Sequence, residues 1–103
     1  MGSRDLRLEG AALTLQRLVR ERGDYAHVRV QARAGHLVIK AEDSQGAHIP
    51  IARATPLGGG HYGLSFRTHT GRWEPMPASG PLPDIAQALT EMLGAYLDRR
   101  NLR

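Results

Sequence analysis

The spacing of apolar residues changes twice along this chain, and this change constrains its fold more than any other feature. Two segments have the spacing of one helix face: Leu6–Arg22, and a segment from Leu82 or Pro83 to Arg99. Between them apolar and polar residues alternate, which is typical of half-buried strands. The predicted order is therefore helix, strands, helix.

Each predicted helix carries one apolar stripe. In the first helix Asp5 is a candidate N-cap, Gly10 would allow a later start, and Gly23 is the expected C-terminal signal. The stripes are Leu8, Ala12, Leu15 and Val19 in the first helix, and Ile85, Leu89, Met92, Leu93, Tyr96 and Leu97 in the second.

Alternation predicts an antiparallel meander of four or five strands. A short Ala34-Gly35 turn joins the first two. Pro50 lacks an amide hydrogen, so the third strand is expected at a sheet edge or with its proline nitrogen facing away from a neighbour. The predicted strands are Tyr25–Arg33, His36–Glu42, a third with Ile49 and Ile51 inward, His61–Thr68, and a short fifth strand, Arg72–Met76.

Large aromatic side chains are concentrated in the hairpin of the last two predicted strands. Tyr62, Leu64 and Phe66 share one face of the fourth strand, and Trp73 follows shortly after. Because each aromatic side chain can bury roughly 150 to 250 Å², this hairpin is predicted to be the packing centre, with Trp73 in the core. The alternative is that Trp73 and Met76 form an apolar docking patch.

Together these elements predict a single α+β domain over residues 1–103. Each helix has one apolar stripe and the sheet has one apolar face, so both helices are expected to pack on the same face of the sheet. Residues 1–4 are treated as an appended or disordered start, and residues 100–103 as a frayed tail.

The sheet face that the helices leave open is expected to be polar and basic. Three interpretations stay open: a solvated surface, a surface for self-association, or a contact with a negatively charged partner. The candidate binding residues on this face are His27, Arg29, Gln31, Arg33, His36, Lys40 and Arg67.

Composition excludes some kinds of chemistry. The chain has no cysteine, which excludes disulfides, thiolate metal sites and thiol catalysis. No apolar run approaches the roughly 20 residues of a membrane span, so we expect no membrane partner and a cytoplasmic location. The formal net charge is +4, with Lys40 the only lysine among 14 basic residues. This arginine-rich, positive balance favours acidic partners.

Motifs for metal binding and catalysis are missing. His27, His36, His48 and His61 share a strand parity but lack the spacing of a metal motif. The glycines of Leu57–Gly60 precede a strand, whereas phosphate-binding loops precede a helix. A serine elbow and paired carboxylates suited to acid-base catalysis are also absent. We therefore expect a non-enzymatic protein without a cofactor or metal.

The function favoured by these observations is a protein-interaction module that forms a homo-oligomer or binds another protein. Nucleic-acid binding through the basic open face is the alternative, with Arg29, Arg33, Lys40 and Arg67 as phosphate contacts.

The order helix, strands, helix is similar to that of the double-stranded-RNA-binding domain. That family begins its second helix with a basic motif, whereas this chain has Pro83-Asp84-Ile85-Ala86 there, so the similarity extends only to topology. A sheet that reads single strands needs outward aromatics, and only Tyr25 is predicted to point outward.

Overall fold

The computed structural model describes residues 5–98 and confirms the α+β fold, with two helices and five antiparallel strands in one open sheet. The elements are α1 (Leu6–Arg20), β1 (Val28–Arg33), β2 (His36–Glu42), β3 (His48–Gly58), β4 (His61–Arg67), β5 (Trp73–Gly80) and α2 (Leu82–Leu97). The expectations for residues 1–4, 99 and 100–103 lie outside the described residues. No helix in the described part is long and apolar enough to cross a membrane.

Asp5 begins α1, as the first of the two sequence alternatives predicted. Its carboxylate accepts a hydrogen bond from the Leu8 amide at 3.1 Å, which satisfies one of the free N–H groups of the first turn. The helix ends at Arg20, before the predicted Arg22, and Glu21 is its C-cap.

The five strands pair in chain order, so β3 is the central strand and the edge alternative for Pro50 is wrong. Pro50 lies opposite Lys40, at a shift in the register of β2 and β3. A bulge accommodates a residue that has no amide hydrogen, and it adds one residue to β3. The alternation therefore changes phase: Ile49 packs against the core before the bulge, and Ala52 and Ala54 after it.

β5 is longer than predicted. It continues through Pro75 and Pro77 to Gly80, where the sequence predicted a strand end at Met76 followed by a linker. This strand forms an edge of the sheet, and an edge strand tolerates proline because only one of its sides must pair.

The turn between β1 and β2 requires backbone angles that few residues adopt. Ala34 has a φ of 52° and Gly35 a φ of 81°. A two-residue loop with positive φ at both positions is a type I′ turn, whose twist matches that of the flanking strands. The turn fixes the register and places Arg33 opposite His36.

Both helices pack on one face of the sheet, as predicted, and share one hydrophobic core with it. α1 packs mainly on β1, and α2 mainly on β5 and β4. The largest fully buried side chains are aliphatic: Leu15, Val19, Val28, Leu37, Ile39, Leu64, Ile85, Leu89 and Leu97. Tyr62 and Phe66 are partly buried beside them, so the aromatic hairpin borders the packing centre.

The apolar stripe of α2 is narrower than predicted. Met92 and Tyr96 are 45% and 65% exposed and lie outside the core. Gly94 is explained by a close approach, since a Cβ atom there would lie 3.3 Å from the Tyr25 hydroxyl. The buried stripe consists of Ile85, Ala86, Leu89, Leu93 and Leu97.

Candidate functional site

The open face is the side of the sheet that neither helix covers. Cross-strand pairing assigns its members, because directly paired residues point to the same side of a sheet. They are Arg29, Gln31 and Arg33 of β1, His36, Val38, Lys40 and Glu42 of β2, His48, Pro50, Arg53 and Thr55 of β3, Gly63, Ser65 and Arg67 of β4, and Trp73, Pro75 and Ser79 of β5.

Six of the seven residues predicted for this face lie on it. Four are exposed and two, His36 and Lys40, are half-buried. Lys40 donates a hydrogen bond from Nζ to Gln31 Oε1 at 2.9 Å, so a cross-strand pair holds the lysine on the face. The four exposed residues are Arg29, Gln31, Arg33 and Arg67.

His27 is the exception, and its placement on the open face is wrong. It precedes β1 and is buried, with Nε2–H donating to the carbonyl oxygen of Leu97 at the end of α2. Tyr25 was expected to point outward and instead packs beside Gly94 of α2. The strand begins only at Val28, so the alternation of faces cannot be extended back to Tyr25 and His27 in the preceding turn.

Trp73 lies on the open face and is not part of the core. It pairs with Arg67 of β4, and the guanidinium carbons of Arg53 and Arg67 lie 4.7 and 5.4 Å from the centre of its ring. These are cation–π distances. Met76 packs against the core from the other face of β5. The predicted docking patch of Trp73 and Met76 is therefore wrong, because the two side chains lie on opposite faces.

Arg53 is the residue that sequence reasoning missed. If the alternation of faces is extended from Ile49 and Ile51, Arg53 is expected on the side of the helices. The bulge at Pro50 reverses this alternation. The signal was present in the sequence, since a proline within a strand pattern often marks a bulge. As a result, a central strand carries an arginine on the open face, opposite Val38 on one side and Ser65 on the other.

The cations of the open face are not neutralised by neighbouring carboxylates. Glu42 is the only acidic residue assigned to the face, and the single ion pair within residues 5–98 is Arg17–Glu21 on α1. The buried Nε of Arg53 has no hydrogen-bond partner in the described part of the chain. The five uncompensated cations are Arg29, Arg33, Lys40, Arg53 and Arg67.

His36 reports on the same electrostatic environment. Its Nδ1 is 2.9 Å from Thr55 Oγ1, and its ring is half-buried. Burial, and then the positive charge of Arg53, lower the pKa of His36 below the ordinary value of 6.5. Both effects favour the neutral imidazole, so at neutral pH this position adds hydrogen-bonding capacity to the face without adding charge.

The remaining polar clusters have structural roles. The Asp43 carboxylate accepts hydrogen bonds from the amides of Gln45 and Ala47 at 2.9 and 2.8 Å, and so closes the β2–β3 loop. Arg22, in the turn that follows α1, donates from Nε to Thr90 Oγ1 at 2.7 Å and links this turn to α2. Among residues 5–98, no three histidine, aspartate or glutamate side chains are grouped as metal ligands.

A groove lies on the helix side of the sheet, away from the open face. It is an apolar groove of about 300 Å³ beside α2, bordered by Ile51, Phe66, Leu93 and Tyr96. Its polar neighbours come from the β4–β5 turn, at Thr68 and His69. It shares no residue with the open face other than Arg67.

Comparison with family models, with curated proteins and with solved structures found no match to this chain. A function must therefore be argued from the chemistry and geometry of the site itself.

Proposed function

We propose that this protein binds nucleic acid through the open face of its sheet. The observation that carries the proposal is the set of five cations that share the open face with Trp73, two of them stacked on its ring, none of which is neutralised by a carboxylate within residues 5–98. Like charges on one face repel one another and destabilise the fold slightly. A polyanion relieves this repulsion, and each phosphate contact also releases condensed counterions.

The stacking of the Arg53 guanidinium on the Trp73 ring also supports nucleic-acid binding. A guanidinium that stacks on an indole uses its flat face for that contact, and its N–H groups remain available at the edge. Stacking also holds the side chain in place, so less conformational entropy is lost when an anion binds. The buried Nε of Arg53 makes no hydrogen bond within the described chain, so no protein acceptor holds the guanidinium there, and phosphate oxygen is an acceptor that suits its remaining N–H groups.

Binding is best measured by fluorescence anisotropy with a labelled oligonucleotide of mixed sequence. We expect affinity to fall as salt rises from about 50 to 200 mM, with a logarithmic slope no steeper than about −3.5 for single strands if all five cations contact phosphate. Arg29→Gln combined with Arg33→Gln should weaken binding by roughly tenfold or more, because two phosphate contacts are lost.

The matched control is Arg7→Gln combined with Arg17→Gln. Both residues are exposed on α1, and the double substitution changes the net charge by the same amount. We expect this control to bind like the unmodified protein. Equal weakening in the two double variants would contradict the proposal, because net charge alone would then explain the affinity, and so would the absence of salt-dependent binding.

Self-association is a second candidate, and its route is restricted by the sheet edges. At the β1 edge, Gln16 Oε1 accepts from the Val30 amide and Arg20 Nε donates to the Val28 carbonyl, both at 3.0 Å. Two prolines interrupt the β5 edge. Strand pairing between two copies is therefore disfavoured.

The observation that favours self-association is the exposure of Met92 and Tyr96 on α2, beside the apolar groove. Size-exclusion chromatography with light scattering tests it. A dimer that Tyr96→Ser converts to a monomer would support association through α2, and a monomer at all concentrations would remove this candidate.

A further inference from the structure

We infer that the open face selects single-stranded over duplex nucleic acid, with an unpaired base stacked on the cluster of Trp73, Arg53 and Arg67. This inference rests on the proposed function and specifies its substrate. It follows from three features of the face: its width, the planar groups on its β3–β5 side, and the arrangement of its cations.

The width of the sheet is unfavourable for reading a duplex. Four inter-strand spacings separate β1 from β5, which makes the face about 19 Å across. The major groove of DNA is about 12 Å wide and admits one helix or a two-stranded ribbon. The β1–β2 turn contributes only Ala34 and Gly35 beyond the strands, so no long loop projects from it to enter a groove. A duplex would contact this face through phosphates alone.

The planar groups favour an unpaired base. Indole rings and guanidinium planes are the surfaces on which proteins stack the bases of single strands. Here an indole and two guanidinium groups are held together at the β3–β5 side of the face, within 5.4 Å of one ring centre. In a duplex the bases are stacked on each other and their faces are inaccessible. A single strand can offer both its phosphates and an exposed base.

The cations are arranged in a way that a flexible strand can follow. Arg53 and Arg67 lie beside Trp73, whereas Arg29 and Arg33 lie at the opposite edge of the sheet, on β1. Lys40 lies between them, on β2. A single strand that crosses the sheet from β5 to β1 would thus place one base on the Trp73 cluster and successive phosphates near Lys40 and the β1 arginines.

The chain has one tryptophan, so emission excited selectively from tryptophan reports on Trp73 alone. The probes are an oligothymidylate and a duplex of equal length at matched salt, with inorganic polyphosphate as the anion without bases. We expect the oligothymidylate to quench Trp73 emission and to bind at least roughly tenfold more tightly than the duplex. Polyphosphate should bind without comparable quenching.

Two substitutions separate stacking from charge. Trp73→Leu should weaken oligothymidylate binding by roughly 5- to 150-fold, the range measured for removal of one stacking aromatic, and leave duplex binding almost unchanged. Arg53→Lys keeps the charge and removes the plane, so it should also weaken the single strand selectively. Arg53→Lys is the more conservative change, and it provides the test if circular dichroism shows that Trp73→Leu does not fold.

The outcomes distinguish this inference from the proposed function. If single strand and duplex bind equally, and only the β1 arginine variant weakens them, nucleic-acid binding holds and the stacking inference is wrong. Binding of polyphosphate as tight as that of the oligothymidylate, with equal quenching, would overturn the inference in the same way. If no nucleic acid binds at low salt, both proposals are wrong.

Discussion

The two faces of this sheet are built from the same strands but satisfy their side chains in opposite ways. On the covered face, aliphatic residues of the sheet and both helices form one core in which the largest side chains are fully buried. On the open face, five cations and Trp73 contact one another or solvent and have almost no acidic neighbours. The covered face satisfies its side chains within the described chain, and the open face is the one that we propose binds an anion.

This difference separates residues that stabilise the fold from residues that are available for binding. Neighbours along one strand belong to different faces, so single substitutions one position apart can test each role. We therefore expect substitutions on the covered face to lower the free energy of unfolding, and substitutions on the open face to lower affinity with little effect on stability.

The largest expected effect is at Leu37, which is fully buried on β2. Leu37→Ala should lower the free energy of unfolding by about 2 to 5 kcal/mol, since it removes buried methyl groups and leaves a cavity. The measurement is urea unfolding followed by circular dichroism. The control is Val38→Ala, on the open side of the same strand. This substitution should lower the free energy of unfolding by less than about 1 kcal/mol. Equal losses in the two variants would show that the open face is packed as tightly as the core.

An intermediate effect is expected at Asp43, the buried carboxylate of the β2–β3 loop. Asp43→Ala removes the acceptor for two backbone amides and should lower the free energy of unfolding by about 2 kcal/mol. Asp43→Asn keeps one oxygen acceptor and should recover part of that loss. Glu42→Ala, one residue earlier on the open side, should change stability by less than about 0.5 kcal/mol. A loss at Glu42 as large as that at Asp43 would contradict this division of roles.

Most of the fold could be predicted from the sequence because periodicity reports burial directly. The α1 stripe, four of the six residues in the α2 stripe, the hairpin turn at Ala34 and Gly35, and the common side of both helices were predicted from spacing and turn residues, and the structure confirms them. The N-cap at Asp5 was one of two alternatives, and the hydrogen bond to the Leu8 amide decides between them.

The centre of the candidate site could not be predicted in the same way, because a single bulge reverses parity for every later residue of a strand. The β3 bulge moved Arg53 to the open face. Trp73 was assigned to the core by its size, yet its pairing with Arg67 fixes it on the other side. The faces of Arg53 and Trp73 are both determined by how their strands pair with neighbouring strands. Local sequence composition carries little information about this pairing register.

The smallest expected effect is the pH dependence contributed by His36, which is half-buried and partly screened by solvent. Because the pKa of His36 is lowered in the folded state, the unfolded chain binds a proton at a pH where the folded chain does not. The neutral His36 side chain therefore contributes fully to the free energy of unfolding above the ordinary pKa of 6.5. This contribution is lost as pH falls toward the lower pKa that His36 has in the folded state.

His36→Gln should flatten the dependence of the unfolding free energy on pH below 6.5. Denaturant unfolding at a series of pH values measures this slope. Bound phosphate near Arg53 would raise the pKa of His36, so oligonucleotide binding should take up protons in the unmodified protein and fewer in His36→Gln. An unaltered slope in His36→Gln would contradict the lowered pKa of His36 that burial, and then the charge of Arg53, are expected to produce.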